Sequence, residues 1–416
     1  MGIVEPFSEE IPSLVVRTAH FAHDDKLLEF LDEEAPLFFE HETFGLVGQG
    51  TALEKNFAGG TRFSEAGRWW NQLVEKAEVT DPLGRPGTGL SAFARFAFSD
   101  VSTRQSTLVI PRTIVGRDSQ GSWITTIDNP DGSPRAFGIK TRDKSPVDWI
   151  ETPLRALSFT EAAAEAIRLI QGLSLEKVVL GRQITAQSSQ PIFVQALLDY
   201  LSTTHPKTYR FAFEFLVGAS PEMLSRVIDN HLFIEVLAGS APKSGEVPSN
   251  KAPSETLLSQ EKDLLEHELA VSSVVDVLRS IADLEVSVGE ASILGLRDVL
   301  HLSTSIKCSS ARQLNGLDLL AKLHPTASVA GTPREQALRV IRELEGVDRG
   351  YFAGPVGWLD AKGNQEFVLA LRSAELSSDR KKITAFAGAG IVHDSVPSKE
   401  FDETTLKFKT IQDYFV

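Results

Sequence analysis

Gly354-Pro-Val-Gly-Trp-Leu-Asp-Ala-Lys-Gly-Asn-Gln-Glu-Phe-Val-Leu-Ala-Leu-Arg-Ser-Ala374 decides the fold. Strand-forming residues crowd positions 356–359 and 366–374, and Ala361-Lys-Gly-Asn364 breaks the run between them. Two such runs around a short Gly-containing break predict a hairpin, and hairpin strands are antiparallel. A further strand is expected at 382–387, then a helix starting near Pro397, whose fixed φ suits a first helical turn. Upstream, helices are expected at 257–284, 317–323 and 333–345. Residues 209–215, Tyr-Arg-Phe-Ala-Phe-Glu-Phe, alternate as a half-buried strand does, and Lys177-Val-Val-Leu180 reads as a short buried strand. Ser158-Phe-Thr-Glu161 has capping-box spacing and opens a helix to about Gly172. Nearer the N-terminus, 93–98 and 107–110 read as strands, and 81–89 and 128–134 as loops. Strands and helices alternate irregularly, so the expectation is α+β, with large, mainly antiparallel sheets and helices outside, not a doubly wound fold. Residues 1–155 are expected to support a catalytic region at 156–416, the two intertwined as one domain.

The 416 residues are 42% hydrophobic, enough for a large core. A net charge of −14 opposes broad nucleic-acid binding. The single cysteine, Cys308, precludes an intrachain disulfide and reads as a small buried hydrophobe. The N-terminus has neither the basic nor the apolar region of a signal peptide, and no apolar run reaches membrane-spanning length. The expected setting is cytoplasmic, with no nucleic-acid or membrane partner.

Two acidic pairs stand out. Asp263 and Glu266 are three apart on a predicted helix and share a face, while Glu400, Glu403 and Lys407 form one stripe on the last helix. Two helices offering carboxylates can clamp an oxygen-preferring cation such as Mg²⁺. Taken singly, each pair also reads as a solvated face or as first-turn acids favoured by the helix dipole. Gly388-Ala-Gly390 is either a plain turn or a close backbone approach to an anion. Lys177 is either a snorkelling strand end or a buried amine, and Glu222 either a turn acid or a proton donor. His324 alone reads as structural, whereas a buried Arg372 needs an anion partner.

Together these segments resemble one family. In order they are Lys177-Val-Val-Leu-Gly-Arg182, Ser220-Pro-Glu222, Leu237-Ala-Gly-Ser240, Lys262-Asp-Leu-Leu-Glu-His267 and Val299-Leu-His-Leu302. Leu323-His-Pro-Thr326, Ala353-Gly-Pro-Val-Gly-Trp358, Leu371-Arg-Ser373, Ala387-Gly-Ala-Gly-Ile391 and Glu400-Phe-Asp-Glu-Thr404 with Lys407 follow. This is the pattern of the magnesium-dependent chorismate-utilising enzymes, which include isochorismate, salicylate, anthranilate and aminodeoxychorismate synthases. The resemblance covers roughly 158–415 and is loose before it.

The resemblance implies Mg²⁺ as cofactor and chorismate as substrate, in a monomer. Glu266 and Glu403 match the metal ligands, with Asp263 and Glu400 holding its waters. Gly390, Lys407 and His324 are implied at the ring carboxylate and Arg372 at the enolpyruvyl carboxylate. Gly239, Ser240, Ser328, Phe352, Leu371 and Gly388 are implied to line the substrate. Lys177 matches the base that activates water for attack at C2, and Glu222 the acid that protonates the leaving C4 hydroxyl. As a base at pH 7, Lys177 would have to stand unprotonated, and Glu222 would have to arrive protonated.

Among members, His324-Pro-Thr326 and Ala353-Gly-Pro-Val-Gly-Trp358 resemble isochorismate synthases. Salicylate synthase, which goes on to eliminate pyruvate, is the runner-up, and an aminating enzyme comes after it. Phe352 stands where the lyases commonly carry Tyr. Ser328 stands where water-using members often have Ala and ammonia-using ones Thr, so its hydroxyl leaves the nucleophile open. The presence of Lys177, Glu222, Glu266 and Glu403 opposes a non-catalytic, metal-binding homologue. Menaquinone and catechol-siderophore pathways both remain open as destinations.

Overall fold

A computed structural model describes residues 11–23, 26–129, 132–140, 147–152, 154, 157–172, 175–243, 261–310 and 314–416. Two large sheets hold most of the described strands, one of thirteen and one of ten. Val15–His20 with Glu78–Thr80 is a parallel pair; the pairings that carry the site are antiparallel. Through its middle, the larger sheet orders Lys177–Gln187, Lys382–Ile391, Ser373–Leu376, Leu216–Ser220, Tyr209–Phe213, Leu37–His41 and Phe44–Gln49. The smaller sheet places Val299–Ser310 beside His231–Pro242, then Met223–Ile228, Gln365–Leu369, Pro355–Asp360 and Ser91–Arg95. Each sheet therefore mixes strands from before and after residue 155. The helices include Arg62–Lys76, Phe159–Gly172, Val194–Thr204, Glu261–Arg279, Gly316–Leu323, Arg334–Glu345 and Pro397–Gln412. No described helix is long and apolar enough to cross a membrane.

The expected hairpin is present. Pro355–Asp360 pairs with Gln365–Leu369, with Leu359 opposite Gln365. Asp360 closes the turn: its Oδ1 accepts from the Lys362 and Asn364 amides, both at 2.9 Å. The expected strand at 366–374 is interrupted, however. It ends at Leu369 in the smaller sheet and resumes at Ser373–Leu376 in the larger one. The crossing forces Arg372 to φ +48°, a left-handed conformation a non-glycine residue adopts only when its surroundings hold it.

At 388–390 the structure chooses between the two readings. These residues form no turn, because the last strand runs on to Ile391, with Gly388 opposite Gly181 and Gly390 opposite Val179. Tyr209–Phe213 is buried on both faces, so its alternation separates two cores instead of core from solvent. The capping box forms: the Ser158 amide donates to Glu161 Oε2 at 2.7 Å and Glu161 N donates back to Ser158 Oγ at 3.3 Å. The 257–284 helix is observed as Glu261–Arg279, and its expected start lies outside the described residues.

Candidate active site

A cleft of about 70 Å³ lies between the sheets, lined by strands of both and by two helices. The larger sheet contributes Val179, Phe386, Gly388 and Gly390, and the smaller contributes Ser240 and His301. Glu266 enters from the Glu261–Arg279 helix, and Glu403 and Lys407 from the C-terminal helix. Connecting segments supply Glu222, Ser328, Phe352, Leu371 and Arg372.

Arg182 docks the C-terminal helix. It donates to Thr404 Oγ1 at 2.7 Å and Thr405 Oγ1 at 2.6 Å, and its guanidinium lies 4.0 Å from the Phe401 ring centre. Pro397 occupies the first turn of that helix, as expected. Glu400 and Glu403 then face the Glu261–Arg279 helix, and each carboxylate meets a lysine. Lys262 Nζ lies 2.7 Å from Glu400, Lys407 Nζ 2.6 Å from Glu403 and Lys177 Nζ 3.1 Å from Glu266. Burial opposes ionisation of Glu266, but Lys177, Lys262 and Lys407 outweigh it and hold the carboxyl below its ordinary range. Asp263 lacks such a pair among the described residues. Burial, with Glu266, Glu403 and Glu400 nearby, pushes it up to about 7. Among the described residues, no three His, Cys, Asp or Glu side chains converge tightly enough to hold a cation as they stand.

Two glycines are explained by close approach. A Cβ on Gly390 would sit 2.1 Å from Glu266 Oε1 and 3.0 Å from Lys177 Cε. Gly239 bulges the His231–Pro242 strand at φ +74°, where a Cβ would meet the Asp263 carbonyl at 2.8 Å. Gly390→Ala is therefore expected to cost about 1–3 kcal/mol, the scale of overpacking a filled core, read as a fall in Tm against wild type; an unchanged Tm would remove the close approach as the reason for glycine.

Glu222 is 5% exposed. Burial pushes its carboxyl up to about 7, against the opposing pull of the Ser328 hydrogen bond, Lys177 and Lys407. Ser328 Oγ donates to Glu222 Oε1 at 2.5 Å and pairs with Thr326 Oγ1 at 2.7 Å. The serine hydroxyl that left the nucleophile open in sequence is thus engaged with the carboxyl. Arg372 is buried, with no carboxylate in ion-pair range among the described residues. Its Nη2 donates to His301 Nε2 at 3.2 Å, and burial lowers its pKa to about 10. Since Nε2 accepts, His301 Nδ1 carries the proton and donates to Ser240 Oγ at 2.9 Å. Burial and the Arg372 charge keep this imidazole neutral. Phe352 stacks on Phe386, with ring centres 5.4 Å apart.

Most of the expected site residues line this cleft. Lys177, Asp263 and Glu400 stand behind its wall. His324 does not belong to it. Its Nε2 donates to the Ala353 carbonyl at 3.0 Å, between Phe63 and Phe98, and a buried backbone carbonyl has first claim on that donor. His301, quoted in Val299-Leu-His-Leu302 but given no role, is the histidine of the cleft. An imidazole inside an apolar strand run was the signal for it. Arg349 was also missed. It pairs with Glu345 at 2.5 Å and donates to the Val179 and Val329 carbonyls, bracing the wall behind Phe352.

Residues 138–416 match the model of the chorismate binding enzyme family. The vibriobactin-specific isochorismate synthase of Vibrio cholerae is 39% identical over 386 residues, 91% of this chain and 90% of that protein. The chain belongs to the chorismate-binding enzymes. The isochorismate synthase MenF of Bacillus subtilis is 35% identical over 395 residues, 87% of this chain and 83% of that one. Among solved structures, the menaquinone-specific isochorismate synthase MenF of Escherichia coli superposes with a TM-score of 0.78, covering 98% of this chain and 97% of that one. At 23% identity that likeness establishes the fold, two large, mainly antiparallel sheets with helices outside.

Proposed function

We propose that this chorismate-binding enzyme is an isochorismate synthase, an isomerase that adds water at C2 of chorismate and expels the C4 hydroxyl. One observation carries the reading: Glu222, a carboxyl poised to be protonated near neutral pH, shares a cleft with the buried cation Arg372. Chorismate is a dicarboxylate whose hydroxyl leaves only when protonated, so it needs an acid and cationic seats together. Relatives named as isochorismate synthases, matching over most of the chain, support the choice.

Arg372, with His301 behind it, binds the enolpyruvyl carboxylate, and Lys407 and the Gly390 backbone flank the ring carboxylate. Glu222 gives its proton to the C4 oxygen, which departs as water. Lys177, once it has given up the proton it holds against Glu266, would accept the proton of the water that attacks C2, and the ring double bonds shift between the two carbons. One water enters and one leaves, so the reaction is a net isomerisation.

The donor set is one Mg²⁺ accepts: Glu266 and Glu403 line the cleft from two helices, with Asp263 and Glu400 behind them, all hard oxygen donors. Glu266 and Glu403 would be its direct ligands and Asp263 and Glu400 would hold its waters; when bound, the ion supplies positive charge to grip the ring carboxylate. Lys177, Lys262 and Lys407 balance the carboxylate charge in the structure. Phe352 brings no hydroxyl into the cleft, which favours release of isochorismate over pyruvate elimination.

The test is chromatography of chorismate incubated with enzyme and Mg²⁺, with and without ammonium. Isochorismate alone is expected in both. Salicylate with pyruvate, or an aminated product, would replace the assignment.

A further inference from the structure

We propose that His324 is a positioning residue for Glu222, acting from outside the cleft through the Ala353 carbonyl. The proposal rests on the reading of Glu222 as the catalytic acid.

His324 is 4% exposed. Its partner, the Ala353 carbonyl, can only accept, so Nε2 carries the ring proton. Burial keeps the ring neutral, pushing its pKa down to about 3, so Nε2–H is its single donor. Phe98 meets the ring edge-on, with centres 5.7 Å apart, and Phe63 lies at 6.1 Å. These contacts leave the imidazole little room to turn. The residue it holds is unusual. Ala353 has φ +61°, which a residue with a Cβ keeps only under restraint, and it lines the cleft beside Glu222.

The bond from His324 closes a circuit around the acid. Ala353 N donates to the Ala370 carbonyl at 3.0 Å. In that same segment, Leu369 N donates to the Glu222 carbonyl at 3.1 Å, fixing the acid's backbone. Ser328 Oγ donates to the Glu222 side chain, and Thr326 Oγ1 bonds to Ser328 Oγ. Thr326 and Ser328 lie two and four residues beyond His324, so the circuit returns to the imidazole. One half of the ring sets where Glu222 starts and the other where its carboxyl ends. Within this circuit, His324 is the side chain that joins the 324–328 segment to the 351–354 turn. Without its N–H the two halves are free to drift, and the acid with them.

The experiment is steady-state kinetics on chorismate with Mg²⁺, with Tm recorded for each variant. H324F fills the space but has no donor, whereas H324Q returns an N–H near the Nε2 position. H324F is expected to lower kcat about 30-fold with KM within about threefold, since misplacing a catalytic group by about 1 Å can cost about 100-fold. H324Q is expected to recover kcat to within about fivefold of wild type, a rescue that a purely space-filling role would not show. Folded H324F with wild-type kcat, or H324Q as slow as H324F, overturns the proposal. So does a loss confined to KM, which would return His324 to substrate binding. If H324F does not fold, H324L makes the same comparison. E222Q separates the two readings. Wild-type turnover by E222Q sinks the acid assignment itself, while an inactive E222Q beside a normal H324F sinks only the positioning role.

Discussion

Replacing Glu222 with Gln is expected to lower kcat about 1,000-fold, the middle of the range for a lost general acid. The amide is isosteric and still accepts from Ser328 Oγ, but it has no acidic proton for the C4 oxygen. KM for chorismate should move little, because Arg372 and Lys407 are untouched. The wild-type pH profile follows from the same group. With its pKa raised from 4.5 to about 7, Glu222 is about half protonated at pH 7; at an ordinary value the fraction would be well under about 1%. The acid works only while protonated, so kcat/KM, which reports the free enzyme, should fall about tenfold per pH unit above about pH 7, and E222Q should lose that limb. Stability depends on the same proton. The folded pKa exceeds the unfolded one, so the folded state binds this proton more tightly, and stability falls as pH rises from about 4.5 to about 7. A shift of that size corresponds to a few kcal/mol at most, so E222Q should melt higher than wild type at pH 8. An E222Q enzyme with wild-type kcat, or one that melts lower at pH 8, would contradict the assignment.

Lys177→Arg is the second large effect expected, a loss of about 100- to 10,000-fold in kcat from removing a general base. Lysine at this position has two readings, because its amine sits 3.1 Å from Glu266 with no exposed surface. A charge partner for Glu266 needs only a cation, and arginine supplies one. A base must give up its proton, which arginine does not do at any working pH. A K177R enzyme that is folded but dead supports the base; a K177R enzyme with more than about a tenth of wild-type turnover assigns Lys177 to the pairing of Glu266. Lys177→Met removes both roles and leaves Glu266 buried without that partner, so it should also lower Tm.

The elements were legible because their signals are local. The Ser158–Glu161 box, the turn at 361–364 and Pro397 each act within a few residues of chain. The break at 370–372 was not legible, because Leu-Ala-Leu continues the strand pattern and only the two sheets decide that the chain must change partners there. Gly388-Ala-Gly390 left two readings open for a related reason: glycine in a strand signals close approach as well as a turn. The approaching group, Glu266, lies more than a hundred residues away in the chain.

By itself the sequence determined the α+β class, the chorismate-binding family and most of the residues that line the cleft, since those rest on local pattern and ordered motifs. Tertiary structure alone decided which histidine faces the cleft, His301 and not His324, and that Ser328 is bound to Glu222. It also set Lys177 behind the wall against Glu266. The physical reason is that burial and partner choice are long-range. A side chain's donor goes to whichever acceptor the fold brings within about 3 Å, and for His324 that acceptor is a backbone carbonyl 29 residues away.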